Sequence, residues 1–267
     1  MLDRFLLGIY ALWPTAWSRQ RKSSATMLTS SLLLIAILWT IAIPLSWAPE
    51  PIGNNAALFA QGTRMTVELT IVAGLAGVVL GLLAALGKTS RLPPLRWLAS
   101  FYIWVMRGTP LLVQVLAVYF ALPELHPVLR MEEFTAACVA LALNVGAYNA
   151  EAIRSGLQAV PKGQIEAAKA LGLSRWHTFI DITFPQAFKI ALPPLVNNIV
   201  ALLKDSSLAF TIGVVELTNA GSQVKSTSFQ AVPVFIATAI IYLVLTTVMT
   251  QFSDAVERRF DIEGKLG

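Results

Sequence analysis

The sequence predicts an all-α integral membrane protein, a helical bundle with six spans. Three observations predict it. Hydrophobic residues make up 56% of the chain and charged residues 13%, against roughly 45–50% and about 25% in soluble domains. Six apolar runs reach or approach the ~20 residues that cross ~30 Å of hydrocarbon. Lys and Arg are concentrated in alternate connections between those runs, which is how charge sets orientation across a bilayer.

The spans fall at about residues 28–47, 63–86, 100–122, 134–153, 187–206 and 231–252. With a cytosolic N-terminus, sixteen basic residues lie inside. They are Arg4, Arg19, Arg21, Lys22, Lys88, Arg91, Arg96, Arg107, Arg154, Lys162, Lys169, Arg175, Lys189, Arg258, Arg259 and Lys265. Arg64, Arg130, Lys204 and Lys225 are left outside or near the outer boundary. Both termini are therefore expected in the cytosol, with the 154–186 loop. The net charge of +5 reports this topology. It does not point to nucleic acid, because the basic residues are scattered over separate loops.

The first span does not read as a cleavable signal peptide, since its basic flank comes late and no small-residue cleavage pattern follows. Leu2 to Trp17 is apolar but broken by Pro14. It reads either as an interfacial segment or as a disordered lead. The single Cys138 lies in the fourth span, cannot form an internal disulfide, and reads as a small apolar filler. The chain carries no internal repeat or low-complexity tract and is expected to form one membrane domain.

The third expected span contains Arg107-Gly-Thr-Pro110. Pro110 lacks a backbone donor and Gly108 eases a bend, so a helix kink is expected there. Arg107 at the kink either shapes an inner gate or reaches to the headgroups. In the fourth span Asn144, Tyr148 and Glu151 stand at i, i+4 and i+7 and share one face. In the fifth, Asn197 and Lys204 share one face, Asn198 and Asp205 another. Polar groups in lipid usually face a bundle interior or a cavity, so these are candidates for lining a solute path. The alternative is hydrogen bonding between helices; for Glu151 it is pairing with Arg154. Lys204 and Asp205 sit near the outer end of their span, where they either meet an external partner or end the helix in solvent.

Between the fourth and fifth spans lies a polar helix-forming stretch. Pro161 suits a helix start, Gln164 to Leu171 are mostly good helix formers, and Gly172 suits a left-handed stop. Glu166 and Lys169, three apart, are placed to pair. Ala167 and Ala168 are small enough to let another backbone approach. A short capped helix on the cytosolic side of a membrane protein is expected to dock into a partner.

The stretch Gly81-Leu-Leu-Ala-Ala-Leu-Gly87-Lys88-Thr89 imitates a phosphate-binding loop but has five residues between its glycines where that loop has four. It is read as a span end with Lys88 at the headgroups, so the chain is expected to lack its own ATP site. Gly77-x-x-x-Gly81 permits close helix packing. His126 and His177 have no metal-ligand spacing, and no hydrolase motif is present.

Glu166-Ala-Ala-Lys-Ala-Leu-Gly172, then nine residues, then Ile182-Thr-Phe-Pro185, resembles the cytoplasmic EAA loop of ABC importer permeases. Phe184 stands where that pattern has Leu. Arg107-Gly-Thr-Pro-Leu-Leu-Val-Gln114, Ala187 to Pro194 and Leu203-Lys-Asp-Ser-Ser-Leu208 are similar to the polar amino acid uptake branch. The resemblance covers roughly residues 61–260. It implies a type I importer fold with five core spans plus one N-terminal span, in the bacterial cytoplasmic (inner) membrane. Residues 1–60 would be an extension with the first span and a short outer loop. Residues 61–260 would be the permease core with coupling loop 154–186, and 261–267 a cytosolic tail.

The resemblance also implies the working parts. Pro161, Glu166, Ala167, Ala168, Leu171 and Gly172 would form the coupling helix that sits in an ATPase subunit. A second permease subunit, alike or homologous, would complete the path. Two ATPase subunits would bind ATP and Mg, since this chain holds no cofactor, and an external binding protein would deliver a polar amino acid. The position of Asn198 is often acidic in relatives that carry cationic amino acids. Its neutrality favours a glutamine- or glutamate-like solute over a dibasic one. The rivals are an ion-coupled secondary carrier, which leaves the EAA pattern unexplained and shows no inverted halves, and an intramembrane enzyme, for which no span supplies paired catalytic residues.

Overall fold

A computed structural model describes residues 8–260; the 261–267 tail lies outside the described residues. The described residues form helices and connections, with no strand. The helices are α1 (Arg19–Thr40), α2 (Ala42–Ser46), α3 (Ala56–Thr89), α4 (Pro93–Gly108), α5 (Leu111–Leu125), α6 (Glu133–Ala159), α7 (Lys162–Ala170), α8 (Arg175–Ile212), α9 (Leu217–Ser228) and α10 (Ala231–Arg259). Helix α5 contains a π-helical stretch, Ala117–Ala121. Helix α8 contains another, Thr178–Thr183, and ends in the 3-10 turns Ser206–Ile212.

Five helices are long and apolar enough to cross a membrane: α1, α3 with the 3-10 turn before it, α6, α8 and α10. The sixth expected span is not continuous. Helices α4 and α5 meet at 112° across Thr109–Pro110, so the expected kink is a full break. Pro110 donates no backbone hydrogen bond and holds the residue before it extended; Thr109 has φ −117° and ψ 149°. Helix α1 starts nine residues before the expected 28, capped by Ser18, whose Oγ accepts from Arg21 N at 3.4 Å. Its first turns are polar, and hydropathy sees only the lipid-soluble part of a helix.

Helices α3 and α6 form the centre of the bundle. Glycines bring them together. A Cβ at Gly77 would stand 2.3 Å from Val145 Cγ1, and one at Gly81 would stand 2.6 Å from Asn149 Cβ. The stretch that imitates a phosphate loop is therefore continuous helix, its first glycine spent on packing. Helix α8 lies along α6, and α10 joins α8 to α1. The short α9 leans on α3 and α10: Gly62 meets Leu217 and Ala220, and Gly221 meets Thr238. Cys138 is buried among Leu69, Val115, Ala136 and Ile212, as a filler.

Large apolar side chains stay uncovered on the outward surface of the bundle, Trp39, Leu75, Trp104 and Leu243 among them. Continuous apolar surface of this kind is rare on soluble monomers and suits a hydrocarbon surround. The described part of the 2–17 segment is packed, so a disordered lead does not describe residues 8–17. Ile9 N donates to Gln251 Oε1 at 3.2 Å, Trp13 Nε1 donates to Thr26 Oγ1 at 2.9 Å, and Arg258 stacks on Tyr10. The segment binds the start of α1 to the end of α10.

Candidate functional site

The short helix α7 is delimited at both ends and rests on its own chain by one face. Pro161 is its N-cap, one position earlier than a first-turn proline, with φ −60° and ψ 130°. Its end is a Schellman stop: Leu173 N donates to Ala168 O at 3.1 Å and Gly172 N to Lys169 O at 3.0 Å, with Gly172 at φ +80°. Glu166, Ala167 and Leu171 are exposed, Leu171 by 80%. Two expectations change here. Ala168 is buried within its own chain, so only Ala167 is open to another backbone. Glu166 and Lys169 do not pair: among the described residues no carboxylate lies within 4.0 Å of Lys169. Lys169 instead lines a cavity together with Arg91 and Arg175.

The break between α4 and α5 faces α6. Breaking a helix orphans carbonyls, which in lipid must find donors. Gln114 Nε2 supplies Met106 O at 2.9 Å, Thr109 O at 3.1 Å and Thr109 Oγ1 at 2.8 Å. Asn144 Nδ2 donates to Met106 O at 3.2 Å and to Gln114 Oε1 at 3.0 Å. Asn144 thus seals the break as well as facing a cavity. That cavity, of about 370 Å³, is lined by Thr109, Pro110, Asn144, Tyr148, Asn198 and Asp205 together with apolar neighbours. Asn198 Nδ2 donates to Asn149 Oδ1 at 2.9 Å, tying α8 to α6 beside it.

One turn further along the same face of α6 the charges gather. Glu151 Oε1 accepts from Lys88 Nζ at 2.5 Å, and its Oε2 accepts from Arg154 Nη2 at 2.7 Å. Arg107 Nη1 lies 4.0 Å from Oε2. The Arg107 guanidinium also stands 5.3 Å from the centre of the Tyr148 ring, a cation–π arrangement. Glu151 therefore joins α3 to the end of α4 and also pairs within α6. Pairing with Arg154 is real, and it is one of three contacts.

Asn197 and Lys204 stand apart from this cavity. Asn197 is exposed, and its Oδ1 accepts from Ser253 Oγ of α10 at 3.4 Å. Lys204 lines a second cavity with Thr218, Thr238 and Tyr242, and no carboxylate pairs with it among the described residues. Sequence reasoning missed the group beside it. Glu216, fully buried between the last two spans, caps α9: its carboxylate accepts from Thr218 N and Asn219 N, each at 2.8 Å, and from Tyr242 Oη at 2.8 Å. Burial pushes its carboxyl above the ordinary range, against those donors. The signal available was an acid followed by Leu-Thr-Asn at a helix start. Gln114 was missed as well; its signal was a polar residue four past a span-breaking proline.

His177 Nδ1 lies 3.2 Å from Asp181 Oδ2, and His126 accepts from Val128 N. Among the described residues no three His, Cys, Asp or Glu side chains gather to hold a metal.

Residues 77–262 match the family described as the inner membrane component of binding-protein-dependent transport systems. The chain belongs to this family. The permease is 40% identical to the glutamine transport system permease protein GlnP of Escherichia coli, over 77% of this chain and 94% of that one. It is 37% identical to the L-cystine transport system permease protein TcyB of Bacillus subtilis, over 76% and 87%. The arginine transport system permease protein ArtQ of Bacillus subtilis is 38% identical over 74% and 90%. A crystal structure of an amino acid ABC transporter with histidines superposes with a TM-score of 0.73 at 40% identity, covering 77% of this chain and 95% of that one. The inward-facing MetNI methionine ABC transporter, at 20% identity and a TM-score of 0.65 over 80% and 99%, shares the fold alone. The permease has the fold of an ABC importer membrane subunit, and its family together with its apolar helices indicates a multi-pass protein of the inner membrane.

Proposed function

We propose that this permease moves polar amino acids into the cytosol as the passive membrane half of an ATP-driven importer. The observation that carries the reading is α7: a short helix, stopped at both ends, whose Glu166–Ala167–Leu171 face nothing in its own chain covers, in a chain of the permease family. Two ATPase subunits hold ATP and Mg, and one of them grips this helix. A second permease subunit completes the path, and an external binding protein delivers the solute. Both termini are cytosolic, residues 1–60 extend a core of 61–260, and 261–267 form a tail. Nucleotide binding draws the ATPases together, the coupling helices follow, and the bundle reorients from inward- to outward-facing. Nucleotide produces that shift by interacting differently with the two states.

The cavity at the α4–α5 break is the solute's place on the path. Asp205 faces the α-ammonium group that every amino acid carries, and Asn144, Tyr148 and Asn198 offer neutral hydrogen-bonding groups. A dibasic solute would bring a second positive charge, for which the cavity has no second carboxylate among its lining residues. A glutamine- or glutamate-like solute is favoured on this ground and by the neutral Asn198. Arg107, Tyr148 and Glu151 form the inner gate, hinged at Pro110.

Two substitutions at one position test the coupling. Position 172 has φ +80° and nothing within 4 Å of an added Cβ, so Ala and Trp impose the same backbone strain, about 1–2 kcal/mol, and differ in the bulk they present beyond the Cβ. In proteoliposomes with binding protein and ATPase, Gly172→Ala is expected to keep most ATP-driven uptake, and Gly172→Trp and Glu166→Lys to abolish it with loss of the ATPase on gel filtration. Equal uptake by all three, or uptake by the permease alone following an ion gradient, overturns the reading.

A further inference from the structure

We infer that the permease holds an anionic phospholipid of the cytoplasmic leaflet in a two-part site behind its coupling helix. The first part is an apolar groove of about 380 Å³ between α3, α6 and α8. Leu82 and Leu86 form one wall, Ile153 and Leu157 a second, Phe184 and Phe188 a third, and no polar surface interrupts it. The second part is a cavity of about 300 Å³ lined by Arg91, Lys169 and Arg175 with Thr178 and Thr183. Phe179 lines both, so the groove and the basic cavity are neighbours.

Charge complementarity selects the occupant. Three cations from three separate stretches of chain converge at the end of an apolar slot. Among the described residues no carboxylate lies within 4.0 Å of any of them. They lie at the Thr89 end of α3, which the basic-residue distribution places at the cytosolic headgroups. Basic pockets between helices at that boundary suit phosphate headgroups, and the groove below takes an acyl chain. A soluble anion has no use for the groove, and a neutral lipid has none for the cations. The site rests on the orientation proposed above but not on the ATPase reading. Because Lys169 belongs to α7 and Phe179 to the segment behind it, a bound lipid would set how firmly the coupling helix is backed.

The full chain, purified with its copurifying subunits, is placed in nanodiscs of equal phosphatidylglycerol and phosphatidylcholine, and retained lipids are counted by native mass spectrometry. Phosphatidylglycerol is expected to be retained preferentially. Arg91→Gln with Arg175→Gln lowers that retention by about fivefold per cation removed, or about 25-fold. Arg91→Lys with Arg175→Lys restores it, and Leu86→Trp, which fills a half-exposed wall of the groove, lowers retention of any lipid. All variants are first shown to be monodisperse, and site-directed labelling of the loops reports orientation separately. Equal retention of both lipids by the native chain overturns the proposal. So does unchanged retention in the double Gln variant, displacement of the lipid by excess glycerol phosphate, or loss of a protein subunit in place of lipid, which would assign the cations to a protein partner.

Discussion

Glu151 is the side chain on which most of the membrane-embedded charge depends. Its two oxygens meet Lys88, Arg154 and Arg107, cations on three different helices. Gathering three partly exposed cations around one carboxylate is favourable only while the carboxylate is present, because without it the cations repel one another uncompensated. Glu151→Gln is therefore expected to destabilise the folded chain by about 3 kcal/mol, seen as a lowered Tm in detergent. Lys88→Met removes one partner of several and is expected to cost about 1 kcal/mol. Equal Tm values for the two variants would mean that the carboxylate has no central role. Gln114 does for dipoles what Glu151 does for charges. It gathers the carbonyls that Pro110 and Thr109 orphan, which is why a polar side chain is buried there at all.

At the scale of elements, the glycines sort into opposite kinds. Gly81 sits where α3 and α6 touch, with Asn149 Cβ 2.6 Å from any added Cβ. Gly163, near the start of α7, has nothing within 4 Å. Gly81→Leu is expected to separate the two central helices and cost about 2–3 kcal/mol. Gly163→Ala is expected to stabilise by about 0.5 kcal/mol by narrowing the unfolded ensemble. Thermal unfolding of the two variants checks the opposite signs, and a neutral Gly81→Leu would mean that the helices do not pack as closely as the backbone places them. The break between α4 and α5 belongs to this scale too. A 112° turn brings Thr109 and Pro110 to the wall of the polar cavity, where a straight span would have carried them past it.

The whole molecule's orientation is open to a direct check, because its one native thiol is buried and silent. Trp176→Cys, at the exposed start of α8 just after α7, is expected to react with a membrane-impermeant maleimide only after the cell is opened. Val128→Cys, exposed by 80% in the native chain, is expected to react in intact cells. The reverse pattern would invert the topology and place α7 outside, away from any cytosolic ATPase. The same view separates two sides of the bundle. The polar cavity opens between α6, α8 and the broken span, while the apolar groove lies between α3, α6 and α8, with the basic cavity beside it at α7 and the start of α8. The proposed solute path and the proposed lipid site therefore lie on different faces of α6.

Much of this was legible from residue order alone. Apolar runs of span length specify helices in lipid whatever their neighbours, because backbone groups there must bond within the segment. Pro161 and Gly172 delimit α7 through their own backbone preferences, and Gly77 and Gly81 mark close packing by lacking a side chain. These are local causes, and a sequence carries them openly. Only the fold decided where polar groups spend their hydrogen bonds. Asn144 lines the polar cavity and also binds the break; Asn197 turned to α10; Ala168 faced inward; Lys169 does not pair with Glu166; Glu216 was not singled out. Each depends on which helix stands beside which, and at what rotation about its axis. Pairings between residues 30 to 60 positions apart are set by packing that no single segment contains.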